Sequence, residues 1–274
     1  MPSFDSARER FRLGTDHLKV LGHLHDGESI PDELIPARDA MREAGLLNDD
    51  DAVLPELATL TRTLADTVLL VQSEVTGPDG VTLNGALVGQ DACYTFETWP
   101  GQQESEYVPT DLGTLVWSLA RGVGLRNRDS KPPEAPVINT TVGVLDAGFV
   151  ALGDMQADSV DEAADRLRAA LIEAGGPADP ELTVLTYLLL QLNANWRMTV
   201  AWQNRSGETT DINGIAVLDC GPLGYWLRER PAEPILPDTV NPNSELRLVY
   251  VEAKDLWDLI TNLLPDADEL RVVS

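Results

Sequence analysis

Pro55-Glu56-Leu57-Ala58-Thr59-Leu60-Thr61-Arg62-Thr63-Leu64 leads almost directly into Thr67-Val68-Leu69-Leu70-Val71-Gln72-Ser73-Glu74-Val75. The first run sets Leu57, Leu60 and Leu64 at helical spacing behind a proline, which suits the first turn of a helix. The second is rich in β-branched residues and reads as a strand. The helical run recurs. Pro180-Glu181-Leu182, Leu185-Thr186 and Leu189 stand at one constant offset from Pro55-Glu56-Leu57, Leu60-Thr61 and Leu64. Leucines three or four apart occur in any amphipathic helix, so the weight falls on the succession of elements around each run.

Upstream of the first run, residues 32–46 read as a helix with Leu34, Ala37, Met41 and Ala44 on one face and Gly45 as its terminator. Asn48-Asp49-Asp50-Asp51 is a polar turn. Nearer the N-terminus, Leu18, Val20, Leu21 and Leu24 suggest a short strand or the start of a helix. Downstream, Gly77-Pro78-Asp79-Gly80 is a turn between strands. Val81–Val88, Ala92–Trp99 and a short segment near Glu106–Val108 are further strands, followed by a helix with Leu112, Leu115, Val116 and Leu119 on its apolar face. Residues 126–136, with three prolines among charged and polar side chains, form a linker.

The second half repeats this plan. Val142–Leu152 reads as strand or irregular. Ser159–Ala174 reads as a helix with Val160, Ala163, Ala164, Leu167, Ala170 and Leu171 inward, an N-cap at Asp158 or Ser159, and an end at Gly175-Gly176. A helix opened by Pro180 comes next. Strands are expected at Arg197–Trp202, Ile212–Leu218, Gly224–Arg228 and Leu246–Val251, with Arg205-Ser206-Gly207 in the first turn, and Glu252–Leu264 closes the chain as a helix. There Asp255-Leu256 matches Asp111-Leu112, and Leu259, Ile260 and Leu263 match Leu115, Val116 and Leu119. Asp219-Cys220 stands against Asp91-Ala92-Cys93. Two diverged copies of one unit follow: an N-terminal repeat over 1–125, the linker 126–136 and a C-terminal repeat over 137–274, packed as one domain. Either copy alone leaves a sheet face or edge open, and pairing about a pseudo-twofold axis covers it.

The chain has 274 residues, 43 % of them apolar, and a net charge of −25. Such a surface repels phosphate backbones and anionic lipid, so neither nucleic acid nor membrane is an expected partner. No apolar stretch reaches the roughly 18–20 residues that span a bilayer. The N-terminus lacks the basic-then-apolar layout of a signal peptide, so the expected location is the cytoplasm. Cys93 and Cys220 are the two cysteines, and without a Cys-x-x-Cys pair a thiolate zinc site is not expected.

The candidates for chemistry are few. His17, His23 and His25 are the three histidines. His23 and His25 could share a strand face with Asp16 or Asp26 near, but a metal site needs three or four ligands. Asp49-Asp50-Asp51 lacks the alternating spacing of a calcium loop. No dinucleotide, phosphate-loop or serine-hydrolase motif occurs, and in so acidic a chain no carboxylate pair stands out as acid and base. No cofactor, no metal and no catalytic residue is expected. Six tryptophans, at 99, 117, 196, 202, 226 and 257, are either core or part of an apolar patch for a protein partner.

Ala40-Met41-Arg42-Glu43-Ala44-Gly45-Leu46-Leu47, the acidic turn, and Pro55-Glu56-Leu57 running on to the strand Thr67–Val75 resemble the N-terminal half of the EspG proteins, cytosolic chaperones of actinobacterial type VII (ESX) secretion. Trp196-Arg197-Met198-Thr199-Val200, Ile215-Ala216-Val217-Leu218-Asp219, Gly224-Tyr225-Trp226 and the helix Lys254–Leu264 resemble that family's last strands and closing helix. The likeness covers about three-quarters of the chain. It implies an α+β fold: two diverged repeats around a central antiparallel sheet with helical bundles, in pseudo-twofold symmetry. It also implies a non-enzymatic role, binding a helical secreted protein, PE/PPE-like or WXG-type, and keeping it soluble for export. The family's binding loop falls on Glu74, Val75, Thr76, Gly77, Pro78, Asp79 and Gly80, with help from the C-terminal helical bundle. Here that loop is a tight turn, and Pro100–Glu106 and Pro231–Asn243 are the longer loops. The rival reading of the same acidity is an immunity-type module that blocks a basic partner by charge complementarity.

Overall fold

The chain begins with two short antiparallel strands, β1 (Ser3–Asp5) and β2 (Arg10–Gly14), joined in register by Phe4 opposite Phe11, whose rings stack at 4.5 Å. Helices α1 (Thr15–Asp26), α2 (Ile35–Glu43) and α3 (Pro55–Ala65) follow, α2 after a single 3₁₀ turn at Asp32–Leu34. Strands β3 (Leu69–Gly77), β4 (Gly80–Val88), β5 (Cys93–Thr98) and β6 (Glu104–Pro109) then form a meander, and a 3₁₀ turn at Leu112–Thr114 leads into α4 (Leu115–Gly122). The later elements are β7 (Val137–Thr141), α5 (Val142–Gly153), α6 (Val160–Glu173), α7 (Glu181–Leu190), β8 (Ala194–Gln203), β9 (Thr210–Asp219), β10 (Tyr225–Arg228), β11 (Glu245–Val251) and α8 (Ala253–Leu263). This computed structural model describes residues 1–128, 130–204, 209–229, 240–266 and 268–270.

Eleven strands form one sheet in the order β1-β2-β6-β5-β4-β3-β8-β9-β10-β11-β7. The fold is α+β, and the pairings described are antiparallel. After its opening strands, β1 and β2 in the first half and β7 in the second, each half runs through three helices, four strands and a closing helix. The strand just before the helices lies beside the fourth strand of the meander: β2 beside β6, and β7 beside β11.

The chain divides into two units: Met1–Leu125 with Met198–Gly214 and Leu259–Ser274, and Arg126–Arg197 with Ile215–Asp258. In the first unit, Leu87, Tyr94, Tyr107, Phe11 and Leu13 project from one sheet face into a core with Val20, Leu21, Met41, Leu57 and Leu60 of α1–α3. Strand side chains alternate, so Thr95, Glu97, Val108 and Arg10 fall on the opposite face, where α4 packs against β4. Gly85 is obligatory in this sheet, because a Cβ there would stand 1.9 Å from the carbonyl oxygen of Val71.

The second unit has its own core, built from Leu167, Leu171, Leu182, Leu185, Leu189, Leu218, Trp226 and Leu248. The linker is not slack within it. Arg128 donates two hydrogen bonds to Asp219, at 2.5 and 2.7 Å, and one to the Gly221 carbonyl at 2.6 Å, with its guanidinium 4.8 Å from the centre of the Tyr225 ring. Strand β7 is a sheet edge, and the Glu181 carboxylate accepts the Asn139 N–H at 3.0 Å. Capping that donor blunts the edge against further pairing.

Residues 142–152 are helical rather than strand or irregular. Their valines and glycines favour extended chain locally, but tertiary packing decides the outcome. The Gly148 backbone comes so close to α6 and α7 that a Cβ would meet Leu189 at 2.5 Å and Leu171 at 3.2 Å. Val160, expected to face inward, is 68 % exposed, since it is the first residue of α6 and projects beyond the core, while Ser159 caps the helix as read. Pro180 is the residue before α7 rather than within its first turn. Residues 15–26 are a full helix, and β1, β2 and β7 are strands the sequence did not announce. The expected turn Arg205-Ser206-Gly207 and most of the loop Pro231–Asn243 lie outside the described residues.

Candidate functional site

The segment Glu74–Gly80 is the tip of the β3–β4 hairpin. Gly77 pairs with Gly80, leaving a two-residue turn of Pro78 and Asp79. Gly80 has φ +112°, a conformation open to glycine, and a Cβ there would meet Pro100 Cβ at 3.2 Å. The tip therefore rests on the loop that follows β5. Pro78, Asp79, Gly80 and Thr76 are exposed, while Glu74, Val75 and Gly77 are half-buried. Val81 and Trp99 expose apolar surface beside it.

The tryptophans divide between core and surface. Trp196 and Trp226 are buried, and Trp226 Nε1 donates to the Leu223 carbonyl. Trp99, Trp117 and Trp257 are exposed, and Trp117 lies 5.2 Å from the Arg121 guanidinium. Such exposed aromatics with an adjacent arginine have the composition of protein-binding anchors.

Helices α5, α6 and α7 carry the larger signal. Val150, Ile172 and Tyr187 are 64, 56 and 47 % exposed, and Val160 joins them. In contrast, α1, α2 and α3 expose no large apolar side chain among the described residues. Sequence reading missed this surface, although a trace of it is present. Val142–Gly153 and Glu181–Leu190 are apolar on nearly every face, and a helix of that kind is expected to be buried all round. Here each shows one side to solvent.

A groove of about 370 Å³ lies on the α4 side of the first unit's sheet, lined by Arg10, Asn84, Thr95, Glu97, Trp99, Ser118 and Arg121 among others. Arg10 pairs with Glu106 at 2.5 Å. No sequence pattern marks this groove, because it depends on the register of β4, β5 and β6.

The histidines sit on or at the start of α1, not on a strand. His17 Nδ1 accepts the Gly14 N–H at 2.8 Å, and burial lowers its pKa. His23 pairs with Glu28 at 2.9 Å and His25 with Asp26 at 3.2 Å. Two residues apart on a helix, His23 and His25 point in different directions. No three His, Cys, Asp or Glu side chains among the described residues are placed to hold a metal ion. Burial raises the pKa of both thiols, Cys93 to about 11, so neither is an activated nucleophile. No described helix is long and apolar enough to cross a membrane.

No family model matches the chain, and no curated protein matches it in sequence. Among solved structures it is similar to the Mycobacterium tuberculosis type VII secretion system chaperone EspG5, determined in complex with a PE25–PPE41 dimer. The TM-score is 0.56 at 12 % identity, covering 95 % of this chain and 99 % of that one. At this identity the likeness establishes architecture, and the chain has an EspG-like fold.

Proposed function

We propose that this chain is a non-enzymatic chaperone that binds a helical substrate of type VII secretion, PE/PPE-like or WXG-type, and holds it soluble in the cytoplasm for export. The observation that carries the reading is that α5–α7 leave four large apolar side chains exposed, Val150, Val160, Ile172 and Tyr187. Exposed apolar side chains on an otherwise strongly acidic surface suit a partner whose own apolar tip would aggregate alone. The EspG-like fold supports the same reading, since EspG5 was solved with a helical pair. We further propose that Glu74, Val75, Thr76, Gly77, Pro78, Asp79 and Gly80 form a second contact, and that the two halves are diverged copies in pseudo-twofold arrangement. The like succession of elements supports the duplication.

Co-expression with helical secretion substrates encoded beside the gene tests the function. The expected result is a stoichiometric complex on gel filtration, with the substrate insoluble when made alone. Substrates that are soluble alone and elute apart from the chain overturn it.

A further inference from the structure

We infer that the groove between α4 and the first unit's sheet is a receptor for an organic cation, an alkyl guanidinium or ammonium. The client is taken as its source, a part of the inference that rests on the chaperone reading. Glu97 and Glu106 stand directly opposite each other on β5 and β6. Like charges so placed repel. Arg10 neutralises Glu106 at 2.5 Å, whereas the Glu97 carboxylate has no hydrogen-bond or ion-pair partner among the described residues. Arg121 lines the same groove, but its guanidinium lies over Trp117 and makes no ion pair with either carboxylate.

A second acceptor belongs to the lining of the same groove. Asn84 is 5 % exposed and lines the groove, and its Nδ2 donates to the Gly122 carbonyl at 3.0 Å. That bond fixes the orientation of the amide, leaving Oδ1 as an acceptor without a donor. Trp99, two residues beyond Glu97, supplies an indole on the rim and is 41 % exposed. A free carboxylate, an unfilled amide oxygen and an exposed indole together match a donor-rich cation on an apolar stem. The groove's two arginines are already engaged, one by Glu106 and one by Trp117, so a carboxylate or phosphate ligand would have to displace those contacts. The net charge of −25 draws cations toward the protein.

The test follows the Trp99 indole N–H signal of the full chain by NMR, assigned with Trp99→Phe, during titration with agmatine and with n-butyrate. Agmatine is expected to shift it saturably, the isosteric Glu97→Gln variant to weaken that binding at least tenfold, and butyrate to leave the signal unmoved. Equal agmatine binding by Glu97→Gln and wild type, or butyrate binding as well as agmatine, overturns the site. The source is then read with the co-expressed substrate. Weaker complex formation by Glu97→Gln supports a client side chain, and an unchanged complex overturns the client as source. Agmatine binding without any substrate complex leaves the site standing while the chaperone reading falls.

Discussion

The helical layers α1–α3 and α5–α7 each follow a strand and precede a run of four strands, yet they treat their outer surfaces differently. The first buries its leucines and shows solvent a polar face. The second is so rich in apolar side chains that its core cannot take them all, and valine, isoleucine and tyrosine remain exposed. Gly22 in α1 meets nothing within 4 Å of where a Cβ would stand, whereas Gly148 in α5 would clash with Leu189. One layer shows solvent no large apolar side chain, whereas the other does and is closely packed at Gly148. A shared architecture thus leaves the character of the outer surface to side chains.

The largest effect should come from the Arg128–Asp219 pair within the second unit. Arg128→Ala leaves the Asp219 carboxylate, 8 % exposed, without its cation, and should cost about 3 kcal/mol in chemical denaturation. A loss under ~0.5 kcal/mol would mean that the linker does not brace this unit. Next, Gly148→Val should destabilise by about 2 kcal/mol through overpacking against Leu189; a neutral result would contradict the tight packing of α5. Replacing Val150, Ile172 and Tyr187 together by serine should weaken substrate binding at least tenfold, about 1.4 kcal/mol, with an unchanged unfolding midpoint. Undiminished affinity, measured by calorimetry, would remove α5–α7 from the interface and dissolve the functional half of the contrast.

Gly22→Ala should stabilise the chain by about 0.8 kcal/mol, because the helix gains propensity without a clash. Destabilisation would show that the space beside Gly22 is not open. The smallest effect is that of His17. Its folded pKa is lowered from 6.5, chiefly by burial, and its Nδ1 must stay unprotonated to accept the Gly14 N–H. The folded state therefore binds fewer protons than the unfolded state. The contribution is complete above pH ~6.5 and is lost as pH falls through the lowered value. Denaturation midpoints followed across that window should lose this component in His17→Gln.

Much of this architecture was legible before the structure. The hairpin of β3 and β4 was read from Gly77-Pro78-Asp79-Gly80, and α3 from its proline and leucine stripe, because turn chemistry and helical periodicity are local. Helix α5 was misread because its valines and glycines carry the local signal of a strand, while the packing that overrides it comes from Leu171 and Leu189, far along the chain. The hairpin tip was placed from sequence. The exposed apolar side chains of α5–α7 and the Asn84–Glu97–Trp99 groove were not, since exposure and cross-strand register are properties of the assembled chain.

Sequence alone determined the net negative charge, the helices α2 and α3, the β3–β4 hairpin and the repeated Pro-Glu-Leu runs, each of which follows from composition or from spacings within a few residues, and it carried a resemblance to a chaperone family. Only the tertiary structure decided which apolar residues stay exposed, that Arg128 closes on Asp219 across 91 residues, and that Glu97 stands opposite Glu106 while Arg10 pairs with Glu106 alone. Burial and pairing depend on residues distant in sequence meeting in space, and no local pattern encodes that meeting.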